Sequence, residues 1–112
     1  MAVKSLGSPF GSETRTRVFV VLQLVGSSFQ HELARLLDCA PSVVRKALAG
    51  LERDGLVTGR LVGRTRSDVL NPRHFARKEL EAFLSRMAEA DTELRERTAQ
   101  LRRRPRRAGK PL

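Results

Sequence analysis

Two stretches of the chain concentrate hydrogen-bond donors of positive charge. The first, "PSVVRKALAGLER" from Pro41 to Arg53, carries Ser42, Arg45, Lys46 and Arg53. The second, "GRLVGRTR" from Gly59 to Arg66, carries Arg60, Arg64, Thr65 and Arg66. Guanidinium and ammonium groups donate to phosphate oxygens and to guanine O6 and N7, so the chemistry on offer is recognition of nucleic acid. With Val44, Leu48 and Leu51 turned inward, helical spacing points Ser42, Lys46, Ala49 and Arg53 outward, with Arg45 beside them. Ser42, near the helix start, can bond a base edge or a phosphate. Val43 can touch a thymine methyl, and the small Ala49 lets the backbone come close. Arginines on an exposed helix are most often only solvated. Arg64 and Arg66 beside Gly63 make a sharper case, because a glycine-bearing turn presents them together.

Other chemistries lack their residues. His31, His74 and Cys39 are the only soft metal ligands and have no clustered spacing, so no metal and no cofactor are expected. Cys39 reads as a small apolar residue packed at a turn. Gly59 and Gly63 lie on a hairpin pattern and not in a phosphate-binding loop. Glu79 and Glu81 read as solvated helix residues. No enzyme is expected.

The elements that must position the basic residues follow from local signals. Ser12 caps a helix over 13–25, with Val18, Val21, Leu22 and Val25 on one face. Gly26, Ser27 and Ser28 break it. A second helix over 29–37 carries Phe29, Leu33, Leu36 and Leu37. After the gap Asp38–Cys39–Ala40, Pro41 suits the first turn of a third helix, which ends near Asp54 before Gly55. Leu56–Val62 and Arg66–Leu70 are β-prone runs separated by Gly63, Arg64 and Thr65, which predicts a hairpin. From Arg73 to Arg103 the pattern is one long helix, with Leu80, Met87, Leu94 and Leu101 every seven residues and Phe83, Leu84 and Ala90 widening the stripe. The expected fold is mainly α with a small β-hairpin. Crossing the second and third helices needs a small residue, supplied by Ala34, a residue tolerant of positive φ, supplied by Asp38, and a β-branched residue, Val44. Leu33, Leu37 and Leu48 complete the inner face.

The stretch "FQHELARLLDCAPSVVRKALAGLERDGLVTGRLVGRTRSDVLN", and above all "VVRKALAGLERDGLVTGRLVGR" from Val43 to Arg64, resembles the winged helix-turn-helix transcriptional regulators, in particular small ArsR-like repressors. The similarity covers roughly residues 11–75. It implies a recognition helix in the major groove of double-stranded DNA, and a wing bearing Arg60, Arg64, Thr65 and Arg66 at the minor groove. It also implies a homodimer in which residues 13–25 join 76–95. Metal sensors of that family carry paired cysteines near the helix-turn-helix, or Asp and His pairs on the last helix. Here Cys39 stands alone, and no histidine follows His74.

The domain plan is a flexible arm over 1–11 that Leu6 and Phe10 can anchor, a winged domain over 12–72, a dimerisation helix over 73–101 and a basic disordered tail over 102–112. A helix of some thirty residues is about 45 Å long. A small domain cannot cover that length, so Leu80, Phe83, Leu84, Met87, Leu94 and Leu101 are expected to meet a second chain. Two-fold pairing would place two reading helices about 34 Å apart.

The net charge of +10, from 22 Lys and Arg against 12 Asp and Glu, fits an anionic partner, although six of those charges lie in 102–112. Five Phe with no Trp or Tyr disfavour single-strand stacking. No secretory leader and no membrane span are visible; the longest apolar run is Val18–Leu22. One cysteine suits a reducing cytoplasm, and DNA binding would place the chain at the nucleoid. Two other functions compete with a sequence-specific repressor: a module that binds a protein partner such as an enzyme or toxin, and a non-specific nucleic-acid binder working through its tail.

Overall fold

Ser12 accepts the Arg15 amide on its Oγ at 3.1 Å and starts helix α1, Glu13–Val25, in the computed structural model, which describes residues 7–103 and side chains through residue 100. Thr16 and the whole run Val18–Leu22 are buried. A helix that is apolar all round must be covered on every side. Helices α2 to α5 and the sheet accordingly pack around it. The single apolar face predicted for this helix was too narrow. Phe10 anchors the preceding segment by an edge contact with Phe19, with ring centres 4.9 Å apart; Leu6 lies outside the described residues.

Gly26, at φ 92°, closes α1. Ser27 and Ser28, expected only to break the helix, and Phe29, expected to open the next helix, instead form strand β1, Ser27–Phe29, which pairs antiparallel with a later strand. Helix α2, Gln30–Leu37, starts where the Phe29 amide and the Ser28 hydroxyl both donate to the Glu32 carboxylate, at 3.4 and 3.2 Å. It ends at Asp38, whose φ of 57° makes it the one non-glycine residue in the left-handed region among the described residues, as the turn chemistry predicted. The Cys39 amide then reaches back to the Ala34 carbonyl at 3.0 Å. Pro41 occupies the first turn of α3, Pro41–Arg53.

Strands β2, Val57–Val62, and β3, Thr65–Leu70, form the predicted hairpin, in register from Val57 opposite Leu70 to Val62 opposite Thr65. The turn is two residues, Gly63 and Arg64, with Gly63 at φ 69°. The sheet order is β1-β3-β2. Asn71 ties the hairpin to the end of α3: its amide donates to the Leu56 carbonyl and its Nδ2 to the Gly55 carbonyl, both at 2.9 Å. The whole is an α+β fold with five helices and a three-stranded antiparallel sheet among the described residues.

The long terminal helix predicted over 73–103 is two helices, α4 (Arg77–Ala90) and α5 (Thr92–Arg103). Asp91 separates them. Its backbone leaves the helical region (φ −116°, ψ 85°), and its Oδ1 accepts the Leu94 amide at 3.1 Å, which caps α5. The break lets α5 fold back on α1 and α2. Leu94 is wholly buried there, and Arg97 donates to the Leu36 carbonyl at the end of α2 at 2.5 Å, where helix carbonyls lack partners. Leu84 is likewise wholly buried, and Leu80 and Met87 pack partly against the same core. From Leu80 to Leu94 the stripe therefore meets this chain's own interior, and with the helix broken at Asp91 its length does not by itself require a second chain. Phe83 stays largely exposed, at 46 %, against Phe10, alone among the described side chains of the set. The Leu101 side chain and the basic run beyond Arg103 lie outside the described residues.

Truncating Leu94 to Ala should cost ~2–5 kcal/mol, the range for a buried leucine. The loss should not depend on protein concentration in thermal melts. A loss that shrinks as concentration rises would instead place Leu94 in an interchain seam.

Candidate nucleic-acid interface

Helix α3 divides cleanly into two faces. Val44, Ala47, Leu48 and Leu51 are buried, together with Leu33, Ala34 and Leu37 of α2. Ser42, Val43, Arg45, Lys46, Ala49 and Arg53 are all exposed, as helical spacing predicted. Gly50 faces inward, and the Arg15 side chain lies across the space a β-carbon would fill, reaching Asp54 at 3.9 Å. Among the described residues no hydrogen bond or ion pair engages the side chains of Ser42, Arg45, Lys46 or Arg53. Their donors are open to a ligand.

The hairpin supplies fewer free cations than the sequence promised. Arg60, Arg64 and Thr65 are exposed, with Arg64 in the turn itself. Leu61, 71 % exposed, and Val62 stand beside them. Arg66, expected to point outward with Arg64, is turned back on α3 instead. Its Nη2 donates to Glu52 Oε1 at 2.6 Å and its Nε to Asp68 Oδ1 at 3.0 Å. Strand alternation explains the direction. Residues two apart share a face, so Arg66 and Asp68 lie together, opposite Leu61 and Gly59. Gly59 makes the space, because a β-carbon there would collide with the Arg66 guanidinium. Glu52 sits on the exposed face of α3 and completes the clamp.

The clamp has unequal arms. The Glu52 side chain is 47 % exposed, whereas that of Asp68 is 1 % exposed. Burial pushes the Asp68 carboxyl above an ordinary aspartate, outweighing the pull of the Arg66 charge and hydrogen bond. The hydrogen bond that Arg66 donates to Glu52 leads the effects that raise the Arg66 guanidinium, so it is firmly cationic. A notch of about 170 Å³ opens between α3 and β3, with Arg45, Ala49, Glu52, Arg66 and Asp68 in its wall. Sequence reading passed over Glu52 and Asp68. The Arg-x-Asp spacing on a strand was a usable signal for one; the approach of Glu52 is a tertiary contact with no local mark.

Cys39 is half-buried against the core at the α2–α3 turn, in the place read for it. No group of three His, Cys, Asp or Glu side chains is arranged to hold a metal ion among the described residues, and no described helix is long and apolar enough to cross a membrane. Comparison of the chain with family models, with curated proteins and with solved structures finds no match.

The Asp68 shift carries a sign. The folded chain holds this proton at pH values where the unfolded chain has lost it. Asp68 therefore favours the folded state in acid, and that contribution declines as pH rises through the interval above an ordinary aspartate's 3.8. Carboxyl carbon shifts followed by NMR should place the Asp68 midpoint above 3.8; a midpoint at or below it contradicts the burial argument.

Proposed function

We propose that the chain is a sequence-specific double-stranded DNA-binding protein of the winged helix-turn-helix kind, acting as a transcriptional repressor by occupying its site. The observation that carries this reading is the solvent face of α3. Ser42, Arg45 and Lys46 stand there without a side-chain partner among the described residues, next to a hairpin whose turn bears Arg64. A helix fits the major groove, and Arg45 and Lys46 can donate to guanine O6 and N7. Ser42, at the helix start, suits a phosphate or base edge. Ala49 keeps the middle of the face low. Arg60 and Arg64 would reach the neighbouring minor groove, where a narrow groove concentrates negative potential.

The fold narrows how two copies would pair. Leu84 and Leu94 are enclosed in their own chain, so a coiled coil through them is set aside. The apolar surface left on α4 is around Phe83, beside Phe10. A homodimer through that face would carry two α3 helices, and two-fold readers of this kind take half-sites about 34 Å apart. The basic residues 102–112 would add phosphate contacts and salt dependence without reading sequence.

Selection from a random duplex pool tests the reading. It should enrich one sequence motif with two-fold symmetry. Arg45→Ala and Lys46→Ala should each weaken binding to that duplex by about 1–3 kcal/mol where they read a base, and by less on random DNA. A pool that yields no motif, with binding indifferent to both substitutions, contradicts it.

A further inference from the structure

We propose that Glu52 stands in for a phosphate group: it occupies Arg66, withholds that arginine from DNA and so limits non-specific binding, while the same contact fixes the hairpin against α3. The inference rests on the DNA-binding reading above. It makes Arg66 a positioning residue and Glu52 a determinant of specificity.

Three observations carry it. The first is geometry: Nη2 and Nε of Arg66, the edge with which an arginine can grip a phosphate in two parallel bonds, are engaged instead by two carboxylates, at 2.6 and 3.0 Å. The second is charge. One arginine with two carboxylates leaves the clamp one negative charge, set between the free cations of α3 and those of the hairpin. A phosphate approaching there meets a carboxylate where the bare sequence offers a cation. The third is the inequality of the arms. Asp68 is 1 % exposed and cannot follow Arg66 outward, and stripping a buried carboxylate of its partner is costly. Glu52 is half-exposed and is the exchangeable partner. Removing it would leave Arg66 anchored through Nε, with Nη2 free to donate to a DNA phosphate.

The salt dependence of binding reads this directly, because each phosphate contact adds about 0.9 to the slope of log K against log salt. Full-length protein and its variants would be titrated on a random-sequence duplex and on a duplex selected by the wild type, between 50 and 200 mM salt, after thermal melts confirm folding. Glu52→Ala should bind random DNA more tightly with a slope steeper by about 0.9, so this fourfold rise in salt costs it about 3.5-fold more affinity than wild type. Its preference for the selected duplex should fall. Gly59→Ala, which displaces the guanidinium without changing charge, should steepen the slope in the same direction. The double variant Glu52→Ala/Arg66→Gln should return to the wild-type slope. A slope unchanged in Glu52→Ala, or a steeper slope that persists in the double variant, overturns the proposal while leaving DNA binding intact. Wild-type protein that binds neither duplex at any salt overturns the DNA reading, and this inference with it.

Discussion

Val18 to Leu22 expose at most 1 % of their surface, although five consecutive helical residues point in every direction. Burying all of them obliges the chain to build a shell around α1. Helices α2 and α3 cover one part, the sheet another, and α4 with α5 the rest. This constraint explains why the terminal segment breaks at Asp91. A straight continuation would carry Leu94 and Thr98 away from the core, whereas the turn brings both to near-complete burial. Buried apolar area is the dominant favourable term in a chain this small, so the geometry of the ends follows from the needs of the centre.

The same shell leaves α3 with one wet face. Its inner residues hold α2 and α1, while its outer side meets Arg66 of the hairpin at Glu52 and is otherwise exposed among the described residues. The hairpin is tied to α3 twice, through Asn71 on the carbonyls of Gly55 and Leu56 and through Arg66 on Glu52. Two basic groups of different local structure, Arg45 with Lys46 and Arg60 with Arg64, are thereby carried on one rigid frame. Between them sits an acidic clamp. Under the proposed function, that arrangement separates cations able to meet DNA from the one held back.

Much of this was legible in the sequence where backbone chemistry is local. Asp38 at positive φ, Pro41 in the first turn, Gly55 past the end of α3 and the Ser12 cap are written in single residues, and each sits where the sequence placed it. The outward face of α3 followed from helical spacing alone. What escaped was non-local. Strand β1 is three residues whose pairing partner lies some forty positions later. The stripe through Leu80, Met87 and Leu94 is real, but spacing does not say whose surface covers it, and the capping residue Asp91 outweighed the regular period. The direction of Arg66 depended on strand alternation, on the missing side chain of Gly59 and on a carboxylate from another element.

Under the proposed function, α3 and the hairpin turn form one DNA-binding surface. Amide shift mapping by NMR, with labelled protein titrated against a duplex it selects, tests it most directly. Perturbations should gather at Ser42–Lys46 and Arg60–Thr65, while the amides of Thr92–Arg97 stay unmoved. Shifts confined to α4 and α5, or none in α3 at saturation, would contradict it.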